Sequence, residues 1–396
     1  MSKITFLGVG KLGKDCAEVF ATKGHDVVGY DTNEIHSEYI KQEADIKTAV
    51  EHADIIFVAL PTPHHNDYDG RYPTSHLEPK DFDYTILRSV IEEANKYTTK
   101  KQLMVIISTT MPGTVREQIA PVANNVRLVY NPYLIALGTV RSDVVNPEMI
   151  MIGTENGDID KDAAELIDFY NSVMENNPRI EVFTWEECEL TKIFYNTFIS
   201  AKVVLVNLVQ DLANKVGHSN VDTITGALAK CDEVIMGPKY MKAGMGDGGP
   251  CHPRDMITVR WIAEKYNLGY DLFGSIMESR EQQAKLLAEF IKEKSSNLGC
   301  CIVGTSYKKG VPYEFGSSGI LVGHYLNEMG VDVTYFNPDN GDTIDETIDR
   351  IYLLAHGSDY GIDFSNDSIL VDPWRVYKTE KNIKIIHYGN TKNLTN

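Results

Sequence analysis

The sequence is poor in basic residues: 38 lysines and arginines face 56 aspartates and glutamates, giving a formal net charge of -18. That balance argues against a nucleic-acid surface and against attraction to anionic lipid, yet it leaves room for a local basic pocket around an anionic ligand. Cysteine is sparse as well. Cys16, Cys188, Cys231, Cys251, Cys300 and Cys301 form no CxxC pair, so neither a disulfide framework nor a thiolate zinc site is indicated. No apolar run reads as long enough to span a bilayer, and residues 1–6 lead into a strand without a signal-peptide pattern. The expectation is a cytoplasmic protein with no membrane partner. What is present, 43% hydrophobic and 24% charged residues, is the balance of a globular fold, and 396 residues imply two or three domains.

The first domain announces itself at residue 3. A β-rich run ends in Gly8-Val-Gly10-Lys-Leu-Gly13, a helical pattern follows over residues 15–23, and a second strand over 25–30 ends at Asp31. In such a βαβ unit the glycines provide a tight turn, close backbone approach to a pyrophosphate and close helix packing, with the helix N-terminus facing the phosphates. Asp31 would accept hydrogen bonds from ribose hydroxyls, which favours NAD over NADP. His36, just beyond, reads as a solvated helix residue.

Residues 54–60 and 103–108 are continuous apolar runs, the mark of parallel strands covered on both faces. The first enters Pro61-Thr62-Pro63 and a polar loop over 64–79. The second enters Ser108-Thr109-Thr110-Met-Pro112-Gly113-Thr114. Segments beyond the carboxyl ends of parallel strands border the reacting carbon, and Thr109 is a candidate hydroxyl to hold water or a developing oxyanion. His64, His65 and His76 lie in one polar loop without a supporting acid–histidine pattern, so no metal is expected. Further strands over 126–130, 149–153 and 179–184, with a helix over 160–173, close a first domain of residues 1–184. A long helix over 185–215 puts Glu189, Lys192 and Asn196 on one face of an otherwise apolar connector, and a buried lysine and asparagine need partners.

A helical middle domain, 185–295, continues with helices over 221–228, 257–266 and 273–294. Between them residues 244–255 read Gly-Met-Gly-Asp-Gly-Gly-Pro-Cys-His-Pro-Arg-Asp, a glycine-rich loop that sets Cys251 beside Arg254 and Asp255. Alone, that segment fits a nucleophile and an incidental buried thiol equally. Strands over 298–303, 331–336, 351–355, 369–372 and 383–388 make 296–396 a smaller parallel α/β domain without GxGxxG. The fold class expected is α/β: two Rossmann-like doubly wound domains joined by a long central helix and a helical middle domain.

The order of these motifs resembles the UDP-glucose/GDP-mannose dehydrogenase family over essentially the whole chain. The pieces that carry the resemblance are the glycine turn with Asp31, Pro61-Thr62-Pro63, Ser108 to Thr114, Glu189-Leu-x-Lys192-x-x-x-Asn196, Gly248-Gly249-x-Cys251-x-x-Arg254-Asp255 and Gly304-x-x-Tyr307-Lys308. The resemblance implies oxidation of a sugar primary alcohol to a carboxylate with two NAD molecules, through a thioester on Cys251. Lys192, Asn196, Asp255 and Thr109 would assist catalysis. Gly8, Gly10, Leu12, Gly13, Asp31, Pro61, Thr62, Thr109 and Arg254 would meet NAD. Lys192, Asn196, Tyr240, Gly248, Gly249, Tyr307 and Lys308 would meet a nucleotide-sugar substrate, and the long helix would form a homodimer or higher oligomer.

The departures are as informative. The family's Asn-Pro-Glu-Phe-Leu-Arg-Glu-Gly is here Asn131-Pro132-Tyr133-Leu134-Ile135-Ala136-Leu137-Gly138, so both glutamates are replaced, the first of them usually assigned to thioester hydrolysis. Arg254 stands where the family has lysine, Ile235 where an arginine often reaches a neighbouring subunit, and Glu314-Phe315-Gly316-Ser317-Ser318 where it has Arg-Glu-Ser-Pro. These changes imply a divergent branch with a different sugar. Two alternatives remain: a two-electron dehydrogenase of hydroxyacid or 6-phosphogluconate type, which has no use for Cys251, and a catalytically impaired nucleotide-sugar-binding homologue.

Overall fold

Strands buried on both faces need an apolar side chain at every position, and the two central strands of the first sheet, residues 55–58 and 103–106, obey this throughout. In the computed structural model Ile55, Ile56, Phe57 and Val58 are 2, 0, 0 and 0% exposed. The structure describes residues 1–232, 240, 242–265, 267, 269, 271–344 and 350–390, with only the backbone of Leu208 and Leu212. Ile235 and Tyr266 lie outside the described residues. The chain divides into two compact units, Met1–His64 with Asp81–Tyr195, and His65–Lys80 with Asn196–Asn396.

In the first unit the strands are β1 (Lys3–Leu7), β2 (Asp26–Tyr30), β3 (Lys41–Gln42), β4 (Ile55–Val58), β5 (Leu103–Ile106), β6 (Arg127–Tyr130), β7 (Met149–Thr154) and β8 (Arg179–Thr184). They lie in the order β3-β2-β1-β4-β5-β6-β7-β8, parallel except where β6 meets β7. The helices are α1 (Gly13–Thr22), α2 (Ile46–His52), α3 (Thr85–Asn95), α4 (Val140–Val145) and α5 (Lys161–Val173). Phe20 of α1 and Phe169 of α5 close on Phe57 of β4 at centroid separations of 5.2 and 5.5 Å, with Phe6 stacked on Phe57 at 5.1 Å. This aromatic cluster fixes α1 against the sheet, and with it the turn before α1.

The helix α6 (Trp185–Val216) begins in the first unit and continues in the second, which adds α7 (Val221–Leu228), α8 (Cys251–Lys265), α9 (Leu272–Ser295), β9 (Gly299–Val303), α10 (Ser318–Glu328), β10 (Val333–Phe336), β11 (Arg350–Leu354), β12 (Ile369–Val371) and β13 (Lys384–Ile386). These strands form a parallel sheet in the order β10-β9-β11-β12-β13. Residues from α9 and α10 bury one of its faces in a core with Cys300, Ile302, Leu353 and Val371.

One expectation needs correction. By length and composition α6 could cross a membrane, because it holds a window of mean hydropathy 1.3, of which 35% is buried in the fold. Its polar side chains tie it to the rest of the second unit. Asn207 accepts from Gly244 N and donates to Met245 O, Gln210 donates to Gly244 O, and Asp211 accepts from Tyr388 Oη, bonds to other parts of the chain that hydrocarbon could not supply.

Candidate active site

The turn from β1 into α1 has the geometry that the glycine spacing implied. Gly8 sits at φ +93°, where a Cβ would fall 2.5 Å from Ala59 O, and a Cβ on Gly13 would fall 2.2 Å from Gly8 O. Those two glycines are therefore required by packing. At Gly10 a Cβ would meet nothing within 4 Å, so the backbone there borders open space in front of the N-terminus of α1. Asp31, at the carboxyl end of β2, accepts from Val9 N at 2.8 Å and Asn33 N at 2.9 Å, which ties the strand end to the turn and leaves lone pairs for ribose hydroxyls. Leu12 packs its side chain on the core, so what it presents at the helix start is backbone. The residues present fit a dinucleotide.

Beyond β4 and β5 the two expected loops are laced together. Ser108 Oγ donates to Leu60 O and accepts from Leu60 N, and Thr62 Oγ1 donates to Thr109 O at 2.9 Å. Thr62 is only 6% exposed, so its hydroxyl holds the loop beside Pro61 in place. Thr109 stays half-buried. Its neighbour Thr110 points inward and donates to Glu189, which also accepts from Gly113 N at 2.7 Å and Val115 N at 2.9 Å. Glu189 is fully buried, and burial pushes its pKa up to about 7 against the pull of those three donors. The first turns of α6 are thus clamped to the segment that follows β5. Lys192, one turn further on, is 9% exposed.

In the second unit Cys251 is the first residue of α8, where the sequence pattern predicted a loop up to residue 255 and a helix from 257. The physical reason is Pro253: in a first turn a proline sacrifices no helical hydrogen bond, so the Pro-Cys-His-Pro run opens a helix. The half-buried thiol therefore stands at a helix N-terminus with Asp255 one turn on. Asp255 is 0% exposed. One oxygen accepts from Arg254 Nε at 2.9 Å and Nη2 at 2.8 Å, the other from Asn196 Nδ2 at 2.6 Å. The structure thus joins three of the expected residues, Asn196, Arg254 and Asp255, into one bonded group beside Cys251. Both oxygens of Asp255 accept, so the carboxylate orients Asn196 and Arg254.

The glycines before Cys251 serve packing. A Cβ on Gly248 would lie 3.2 Å from Tyr307 O, and one on Gly249, at φ +89°, 3.0 Å from the Tyr307 ring. Gly316 at φ +71° comes closer still, its added Cβ 2.1 Å from Gly249 O. Sequence reasoning gave Gly248 and Gly249 to the substrate, but what fills the space beside them is Tyr307. Burial raises the Tyr307 hydroxyl, with the neighbouring charge of Cys251 adding to the effect, and the same two causes raise Tyr313. Lys308 is exposed, and Tyr240 is 42% exposed at φ +62°.

The NAD binding domain of the UDP-glucose/GDP-mannose dehydrogenase family matches residues 34–173, and the central domain of the same family matches residues 186–282. The chain belongs to that family. Its cofactor is NAD. The match to the NAD binding domain begins just after the turn of residues 8–13 and Asp31, whose geometry fits a dinucleotide independently. The chain is 24% identical to the UDP-glucose 6-dehydrogenase of Rickettsia typhi, over 95% of this chain and 90% of that protein. It is 23% identical to the GDP-mannose 6-dehydrogenase of Pseudomonas aeruginosa, over 78% and 74%. The solved UDP-glucose dehydrogenase of Pyrobaculum islandicum has the same fold, with a TM-score of 0.80 over 97% of this chain and 96% of that one, at 23% identity.

Within the family the departures now have places. Tyr133 lies against the core of the first unit with its hydroxyl 2.8 Å from that of Tyr170, which in turn donates to Asn131. The usual glutamate position is thus half-buried and paired with the buried Tyr170, and desolvation raises both hydroxyls well above their ordinary range. Sequence reasoning missed other polar pairs around α8. His252 Nδ1 lies 2.8 Å from Ser200 Oγ, and the buried Asp247 pairs with Arg280 at 2.5 Å. They are far apart in sequence, and no spacing rule links them. Among the described residues no group of three or more His, Cys, Asp or Glu is placed to hold a metal ion.

Proposed function

We propose that this chain oxidises the C6 primary alcohol of a nucleotide sugar to a carboxylate in two steps, with Cys251 as the covalent nucleophile. The observation that carries this reading is the placement of Cys251 at the start of α8, beside a buried Asp255 that holds Asn196 and Arg254. NAD, when bound, takes up the hydride removed from the substrate carbon at each oxidation. The chain's own residues do the rest. In the family's pattern Lys192 stabilises the alkoxide formed when the alcohol loses its proton, and Asp255 takes that proton through a water that Thr109 holds. The sulfur of Cys251 then forms a bond to the aldehyde carbon, and the aldehyde oxygen gains a proton. Loss of hydride from that carbon and of the proton from that oxygen gives the thioester.

Asn196 donates to the oxygen in these steps. Asp255 fixes the amide, so the donor is oriented before substrate arrives. Arg254, locked to Asp255, keeps a cation beside the site, and Tyr240, Tyr307 and Lys308 meet the nucleotide or sugar. Water finally breaks the carbon–sulfur bond and returns the thiol. The domain limits 1–184, 185–295 and 296–396 assign NAD to the first, Cys251 to the second and the nucleotide to the third. A homodimer is supported by the apolar side chains that α6 exposes seven residues apart, Phe198 at 72% and Leu205 at 58%.

The test is a screen of UDP-, GDP- and N-acetylated nucleotide sugars for NADH formation, with mass spectrometry of the product. Two NADH per sugar and a carboxylate product support the reading. One NADH with an aldehyde or ketone product means a two-electron dehydrogenase, and binding without NADH means an impaired homologue.

A further inference from the structure

Residues 65–80, read from sequence as a polar connection out of the first sheet, belong to the second unit. Buried charge holds them there. Glu281, 6% exposed, accepts from Thr74 N at 2.6 Å, Ser75 N at 2.9 Å and Ser75 Oγ at 2.6 Å, while Arg260 Nη1 donates to Ser75 O at 2.7 Å. A carboxylate with three donors in the interior fixes a loop far more firmly than surface contacts would. Nearer the loop's tip, Gly70 at φ +76° lies so close to the first turn of α8 that a Cβ would fall 2.4 Å from Pro253 Cγ.

From Gly70 the contacts run in a circle. The guanidinium of Arg71 lies over the ring of Phe315 at 4.6 Å, and Phe315 stacks on Tyr313 at 4.9 Å with 28° between planes. Tyr313 meets Tyr307 edge-on at 6.3 Å, and Tyr307 covers Gly249, two residues before Cys251. Pro253, two residues after Cys251, closes the circle at Gly70. Tyr307 and Tyr313 thus border Cys251, and Phe315 and Arg71 continue the chain of contacts outward from them.

Arg71 is poised at the outer end of that chain. Its Nε and Nη2 both donate to Asp69 Oδ2, at 2.9 and 2.6 Å, which sets the plane of the guanidinium. Nη1 has no protein partner among the described residues. The arginine side chain is 36% exposed and that of Asp69 only 11%, so the pair turns its cationic edge outward. In a chain of net charge -18, the outward N–H groups of this guanidinium, held in place by Asp69, are donors that an anionic ligand could reach. The guanidinium's flat fork matches a phosphate in a way a lysine ammonium does not.

We propose that Arg71 is a positioning residue that binds the diphosphate of the nucleotide sugar as the sugar reaches Cys251. This rests on the reading of the chain as a nucleotide-sugar dehydrogenase. The experiment is calorimetric titration of the full-length wild type, Arg71→Met and Arg71→Lys with UDP and with GDP, together with KM and kcat for the best nucleotide sugar and for NAD. Arg71→Met is expected to weaken nucleoside-diphosphate binding about tenfold to a hundredfold, the scale of one charged hydrogen bond. Arg71→Lys, which keeps the charge and loses the fork, raises KM for the nucleotide sugar while kcat and KM for NAD hold. If wild type binds UDP or GDP and both variants bind as tightly, the assignment of Arg71 falls and the enzyme reading stands. If wild type binds neither nucleotide and oxidises no nucleotide sugar, both fall.

Discussion

Replacing Glu189 by glutamine tests how α6 is held to the segment after β5. The carboxylate is fully buried and accepts from Thr110 Oγ1, Val115 N and Gly113 N. Its folded pKa, pushed by burial up to about 7, lies above the ordinary 4.5. A carboxyl whose pKa rises on folding contributes stability that is fully present below the unfolded value. That contribution falls as pH climbs from 4.5 through about 7 and then stays level. At about 1.4 kcal/mol for each pH unit, wild type loses about 3 kcal/mol across that window through this one residue.

Glutamine does not titrate. Its amide oxygen keeps two of the donors, but its NH2 meets the N–H of Gly113, donor against donor, at a cost of about 1–3 kcal/mol. Glu189→Gln is therefore less stable than wild type by about that amount near pH 5, and the deficit shrinks or reverses by about pH 8. Urea unfolding of both proteins at several pH values between these limits reads the difference directly. Parallel stability curves would refute the reasoning, because they would mean that Glu189 keeps the same protonation on folding.

Asp31→Ala should raise KM for NAD and improve the ratio of NADP to NAD turnover about tenfold, since it removes a negative charge from beside the ribose; unchanged ratios in steady-state assays would count against that placement. Gly316→Ala places a Cβ 2.1 Å from Gly249 O at a positive φ, so it should cost more than about 2 kcal/mol and separate the Tyr307 ring from the Cys251 segment. Thermal unfolding within a degree or so of wild type would show that the close approach relaxes cheaply.

Much of the fold was legible because its signals are local. The strands β4 and β5 read directly from continuous apolar runs, and the turn at residues 8–13 from glycines whose Cβ atoms have no room. What sequence could not give was the setting of each polar group. Cys251 was read in a loop because two prolines and four glycines surround it, yet the prolines are compatible with a first helical turn. Gly248 and Gly249 looked like substrate-facing positions, and only the fold reveals that Tyr307 and Gly316 crowd them. Asp255 was expected to assist catalysis, and only the fold reveals that it also orients Asn196 and Arg254. Arg71 escaped notice altogether, since its loop joins Pro253 and Phe315 across most of the chain. Partners at long sequence separation leave no periodicity to read.

The most direct test of the covalent reading is to count NADH formed per nucleotide sugar consumed by purified wild type and by Cys251→Ser, under conditions where the sugar is exhausted. Wild type should form two and release a carboxylate. Cys251→Ser, without the thiol that captures the aldehyde, should form no more than one and accumulate no thioester on the protein. Two NADH per sugar from the variant would contradict the central claim.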